Sequence, residues 1–150
     1  MEGGSYVLLM WSGVETEVEV GRLGRFLFPA GHYAYCGSAL NGLEARLARH
    51  ARRVKKCHWH VDYLLPRLEL VDAWTLVSDK RLECLFGRIL RELPGAAVPV
   101  RGFGSSDCRC PAHLVHFTCK PSFGVFADAL DRSCGLSPSR TWNGVGRGRI

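Results

Sequence analysis

The stretch Tyr35-Cys36-Gly37-Ser38, with Leu43, Arg46 and His50 after it, decides how the chain is read. It passes from an apolar strand through a tight glycine turn into a helix. Leu40, Leu43, Leu47, Ala51 and Val54 recur at steps of three and four, the period of an amphipathic helix. Arg46 and His50 lie four apart on one face of it. A strand phenol and two helix cations thus point at one place, an arrangement suited to a phosphate: Arg grips two oxygens at once, and His donates or moves a proton. Taken alone, the same spacing more often describes a solvated surface pair on an ordinary helix.

Upstream, residues 6–11 form a short apolar run, and Ser12-Gly13 turns into residues 15–20, which alternate with period two. This predicts a hairpin with one wet face. Residues 25–28 read as a third strand ended by Pro29, and residues 31–37 as a fourth with Tyr33 and Tyr35 on the same face. Downstream, residues 59–65 predict a short helix stopped by Pro66, and residues 70–77 a strand. Asp79 is placed to cap a helix running to about Leu93, where Pro94-Gly95 ends it. Residues 98–100 and 112–119 are the last strand candidates, and residues 123–130 a final helix. Helices and strands interleave without a βαβ rhythm. The expected fold is α+β, with a small, largely antiparallel central sheet flanked by helices. One domain is expected over residues 1–136, followed by a mobile basic tail, 137–150, where Ser, Pro, Gly and Arg replace apolar residues.

A chain of 150 residues with 47% hydrophobic content can bury one core. No apolar run approaches the roughly 20 residues needed to span a bilayer. The start, Met1-Glu2-Gly3-Gly4, has neither the basic flank nor the apolar block of a secretory signal, so a cytoplasmic location is expected. Seven cysteines are an odd number, and in that compartment they are expected as reduced thiols. The formal charge of +6 and a pI near 9.1 call for an anionic partner. Arg46, Arg49, Arg52, Arg53, Lys55 and Lys56 crowd eleven positions. A run of this kind is ordinarily a solvated helix face; beside a phosphate site it also makes a track for a nucleic-acid backbone, with Arg49, Arg53, Lys55 and Lys56 as contacts.

Several blocks together resemble the GIY-YIG nuclease superfamily, in its small Uri-type branch. Gly4-Ser5-Tyr6 is similar to the first half of the signature and Tyr35-Cys36-Gly37 to the second. Gly37-Ser38-Ala39, Leu43, Arg46 and His50 resemble the helix that follows. His58-Trp59-His60-Val61-Asp62-Tyr63-Leu64, Glu83-Cys84 and Phe103-Gly104-Ser105-Ser106-Asp107-Cys108 with His113-Leu114 look like later blocks of that branch. The blocks span residues 4–117 in order. Ser5 and Cys36 replace the apolar middle residues of the triplets, and the triplets stand further apart than in compact members, with residues 15–20 filling the interval.

The resemblance implies an endonuclease that hydrolyses DNA phosphodiester bonds, with RNA left open, using Mg²⁺ or Mn²⁺. Glu83 would be the metal ligand, Tyr6 or Tyr35 would activate water, Arg46 would stabilise phosphoryl charge, and His50 or His60 would assist by hydrogen bonding. A phenol with a reference pKa of about 10 needs positive charge beside it for that work. On pattern alone, Tyr6 and Tyr35 are also ordinary packed tyrosines, and Glu83 an ordinary first-turn acid at the rim of the apolar stripe Leu82, Phe86, Ile89, Leu90 and Leu93. Two rivals stand: a catalytically silent nucleic-acid binder, and an interaction module binding zinc through Cys108-x-Cys110-x-x-His113 with His116 and Cys119 nearby. That spacing does not match the usual paired zinc ligands, and a strand would split His113 from His116. Asp107, in its glycine-rich turn, is a further polar candidate.

Overall fold

A computed structural model describes residues 2–52 and 55–140. Its centre is β1 (Gly4–Ser12), paired antiparallel with β4 (Gly31–Ala39) on one side and β5 (Glu69–Val77) on the other. Beyond β4 lies β6 (Leu114–Phe117), giving a four-stranded antiparallel sheet ordered β5-β1-β4-β6. Among the described residues four α-helices flank it: α1 (Leu43–Ala51), α2 (His60–Leu64), α3 (Glu83–Glu92) and α4 (Phe123–Cys134). The expected α+β class with an antiparallel central sheet is the fold observed.

β1 is apolar without a break because both faces of the sheet are covered. Tyr6, Leu8 and Met10 pack with Tyr33, Tyr35, Leu43, Leu47, Val61 and Leu64 on the side of α1 and α2. Val7 and Leu9 pack with Ala34, Trp74, Phe86, Leu90, Phe126 and Leu130 on the side of α3 and α4. A strand buried on two faces loses the alternation that a half-wet strand shows.

This corrects the expected hairpin between residues 6–11 and 15–20. The alternating segment is β2 (Thr16–Val20), and it pairs with β3 (Gly24–Phe28) in a separate two-stranded ribbon. The reason is burial: β1 needs partners on both edges and cover on both faces, whereas β2 has one apolar side, Val18 and Val20, to lay on the α1–α2 core.

Three further boundaries differ from expectation. The α1 helix ends at Ala51, where the Lys55 ammonium bonds the carbonyls of His50 at 3.2 Å and Arg52 at 2.6 Å, the favourable charge for a helix C-terminus. α3 starts at Glu83 rather than after Asp79, its entrance held by the Leu82 N–H donating to Ser5 Oγ at 3.0 Å. Residues 98–100 form no strand; Ala97 makes a single bridge to His116. Where the mobile tail was expected to begin, Ser139 pairs with Thr75 through two 2.7 Å backbone bonds and Arg140 meets Asp72 at 3.1 Å. The remainder of that stretch, 141–150, lies outside the described residues. Among the described residues no helix is long and apolar enough to cross a membrane.

Candidate functional site

The site is built around the end of β4. Strand alternation sends the Ser38 hydroxyl toward the α3 side, where it pairs with Ser5 Oγ at 2.7 Å and donates to Glu83 Oε1. Its carbonyl accepts from Arg46 Nη1, on α1 across the sheet, at 3.1 Å. One serine thus links the two groups that the sequence reading placed on the phosphate and on the metal, although their helices cover opposite faces. Glu83 and Arg46 meet through Ser38.

Beside this junction, Tyr6 lies opposite Gly37 in the β1–β4 register. A β-carbon at position 37 would fall 2.5 Å from the Tyr6 hydroxyl, so only glycine lets the phenol cross the neighbouring strand. Tyr6 Oη reaches His50 Nε2 at 2.8 Å. The other ring nitrogen, Nδ1, is buried without a hydrogen bond and lies 3.9 Å from Asp62 Oδ1. A proton on Nδ1 faces that carboxylate favourably, whereas a bare lone pair there would be repelled. The assigned arrangement is therefore Tyr6 O–H donating to Nε2, with the His50 proton on Nδ1.

Burial governs the titration of the pair. It lowers His50 to about 3, with Asp62 pulling the other way and Arg46 adding to the fall. Burial raises Tyr6 to about 12, opposed by the Arg46 guanidinium beside it. Near neutral pH His50 is thus an uncharged acceptor, not the second helix cation expected. Tyr35 is driven well above the ordinary phenol value, first by burial and then by Tyr6. Only 5% exposed, it is packed edge-on to Phe103 at 6.3 Å between centroids, and its ring lies 6.4 Å from His50. Tyr33 donates to the Pro29 carbonyl.

Asp62 organises the helical side of the site. It accepts two bonds from Arg49 Nη1, at 3.1 and 3.2 Å, and the backbone N–H groups of His58 and Trp59 at 2.8 and 2.9 Å. Burial would raise its carboxyl, but these donors hold it below the usual range. The Trp59 ring carries both the Arg46 and the Arg49 guanidinium, at 4.2 and 4.6 Å from its centroid. Trp59 was not singled out from the sequence; the available signal was the block His58-Trp59-His60-Val61-Asp62 itself. His60 Nδ1 accepts from Gly104 N–H at 2.8 Å, which ties α2 to the loop after residue 100.

The expected backbone track divides. Arg49 has Asp62 and the Lys56 carbonyl as partners, and Lys55 caps α1. Lys56 and Arg52 are exposed on the surface, while Arg53 lies outside the described residues. Asp107 is exposed in its turn.

Two kinds of metal donor are present. Glu83 offers a single carboxylate, a hard oxygen donor, whose Oε1 accepts from Ser38. The second is a group that could hold a metal ion: Cys84, Cys108, Cys110 and His113 bring four donor atoms within 4.8 Å of one another. These are soft sulfur and imidazole donors, a set that Mg²⁺ and Mn²⁺ do not favour. Cys84, at the start of α3, was missed as a partner because it lies 24 positions before Cys108 in the chain. His116 belongs elsewhere, with Nε2 at 2.9 Å from the Ala30 carbonyl, and Cys119 is exposed outside the group.

Comparisons with curated proteins and with solved structures found no match. A family model described as "Domain of unknown function DUF123" matches residues 5–133, a span that contains every residue of the site just described. The chain belongs to this DUF123 family.

Proposed function

We propose that the chain is a divalent-metal-dependent endonuclease of the GIY-YIG kind, hydrolysing DNA phosphodiester bonds by contacts to the backbone rather than to base edges. The observation that carries this reading is the junction at Ser38, where a guanidinium and a carboxylate arrive from opposite sides of the sheet beside the Tyr6–His50 pair. Glu83 fits Mg²⁺ or Mn²⁺, since such ions take oxygen donors and commonly only one or two carboxylates. A bound ion would supply neutralisation of the scissile phosphate and a lowered pKa for its water.

The protein groups divide the remaining work. Arg46, stacked on Trp59 and bonded to Ser38, is pre-oriented to hold phosphoryl oxygens where charge develops. Ser38 fixes the carboxylate that receives the ion. Tyr6 keeps its proton and donates it to His50, so its part is to position that ring rather than to act as the resting base. Tyr35 and His60 support this shell from the strand and from α2. Exposed Lys56 and Arg52 give the duplex a charged approach to α1.

Burial of both phenols favours a second reading, a DNA binder of the same architecture without turnover: Tyr6 is 1% and Tyr35 5% exposed. Incubation of the full chain with supercoiled plasmid and branched oligonucleotides, with Mg²⁺, Mn²⁺ or chelator, distinguishes the two. The nuclease reading expects metal-dependent nicking that Glu83→Gln abolishes, with DNA affinity in chelator unchanged. Cleavage at parental rate in Glu83→Gln would remove the carboxylate from the site. Binding without cleavage under either metal would establish the silent binder.

A further inference from the structure

We propose that Cys84, Cys108, Cys110 and His113 form a closed structural zinc site that pins the first turn of α3 to the loop running from Phe103 to His113.

Four donors converge, the number a structural zinc takes, and they are the sulfur and imidazole types it prefers. Their spacing agrees with the ion. Zn–S near 2.3 Å and Zn–N near 2.0–2.1 Å at tetrahedral angles require sulfur-to-nitrogen edges of about 3.6 Å. His113 Nε2 lies 3.5 Å from Cys108 Sγ and 3.7 Å from Cys84 Sγ. These distances suit sulfur hydrogen bonds, and they also match the edges of such a tetrahedron.

The surroundings are built for the same ion. Gly87 stands one helical turn after Cys84, where a glycine costs about 1 kcal/mol relative to alanine. A β-carbon there would lie 3.4 Å from His113 Cδ2 and 3.3 Å from Cys36 Sγ, and the Arg91 guanidinium is close by. The helix thus sits close to Arg91 and Cys36 at this turn, with the His113 ring in ordinary contact. Three thiolates and one dication carry a net single negative charge, and Arg91, which also bonds the Ala112 carbonyl at 2.8 Å, supplies a compensating cation.

Binding requires three thiols to lose their protons to solvent while neutral His113 donates a lone pair, so uptake releases three protons and weakens as pH falls. The loop so clamped has few hydrogen bonds of its own beyond tight turns. It also carries Phe103, buried against Tyr35, and Gly104, bonded to His60. Cys84 follows Glu83 directly, so the ion would fix the start of the helix that bears the candidate metal carboxylate. The zinc proposal does not depend on nuclease activity.

Metal content of the full chain, purified under reducing conditions without a histidine tag, tests it. The expected result is about one zinc per chain, lost in Cys108→Ser/Cys110→Ser and retained in Cys57→Ser/Cys119→Ser. Cobalt substitution of the parent should give the visible absorption and sulfur-to-metal charge-transfer bands of a tetrahedral thiolate site. Should the serine variant fail to fold, the parent alone decides the matter: chelation should lower its melting temperature and added zinc should restore it. Parent protein free of zinc that does not shift its melting temperature with added zinc would overturn the proposal. So would equal metal loss in the Cys57/Cys119 control, or a thiol count showing two of the cluster cysteines joined as a disulfide.

Discussion

At the residue scale, His50 shows how the fold reverses an expectation based on charge. On a helix followed by lysines it reads as a cation; buried between Tyr6, Trp59 and Asp62 it is held neutral, at about 3. The unfolded chain protonates this residue below about 6.5 while the folded chain does not. Its contribution to stability is therefore whole above pH 6.5 and is lost progressively as pH falls toward 3. Between pH 6.5 and 5 the loss is expected to reach about 2 kcal/mol. Asp62, held below the usual carboxylate range, remains charged through that interval. Urea unfolding of the parent and of His50→Gln at pH 7 and pH 5 measures it: the parent should lose more stability between the two, and identical losses would show that His50 is not held neutral. Ser38 is the complementary case, a small residue whose main chain serves one face of the sheet and whose hydroxyl serves the other.

At the element scale, α2 is only five residues long, and its position rests on one carboxylate. Asp62 accepts the N–H groups at its own helix entrance and the Arg49 guanidinium from α1, so one side chain caps α2 and docks it. Asp62→Asn preserves shape but removes the charge and leaves Arg49 without its counterion. Breaking a buried pair commonly costs 3–5 kcal/mol, and because the Arg49 side chain is 20% exposed the lower end is expected, about 3 kcal/mol. Urea unfolding near neutral pH measures it. A loss below about 1 kcal/mol would mean that the pair behaves as a surface ion pair and does not dock α2. Arg46 and Arg49 share the Trp59 ring, so the same substitution should also loosen the candidate phosphate-binding guanidinium.

At the scale of the whole molecule, the central sheet separates two apolar clusters, one under α1 and α2 and one under α3 and α4. The strands between them are common to both, so the clusters should melt together. Leu47→Ala on the first side and Leu90→Ala on the second, each at 1% exposure or less, should each cost about 2–5 kcal/mol. Because the two side chains belong to different clusters, the effects should add within about 0.5 kcal/mol in one shared transition. Calorimetry showing two separate transitions would mean that the layers fold independently.

What the sequence determined by itself was local. Periods of two and 3.6, proline stops and glycine turns located most strands and helices, and the triplets with Arg46, His50 and Glu83 marked the residues that gather near the end of β4. Their chemistry was not legible there, because it depends on neighbours distant in the chain. Ser38 joining Glu83 to Arg46 requires two helices on opposite faces of one sheet. The neutrality of His50 depends on burial that no helical period reveals, and its hydrogen-bond partner Tyr6 lies 44 residues earlier. The departure of β2 from β1 follows from the cover on both faces of the sheet, and the four-donor group required α3 to bring Cys84 against the 108–113 segment. Pattern reports which face of an element is apolar; only tertiary packing decides what that face meets, and so which groups lose water, share protons or converge as ligands.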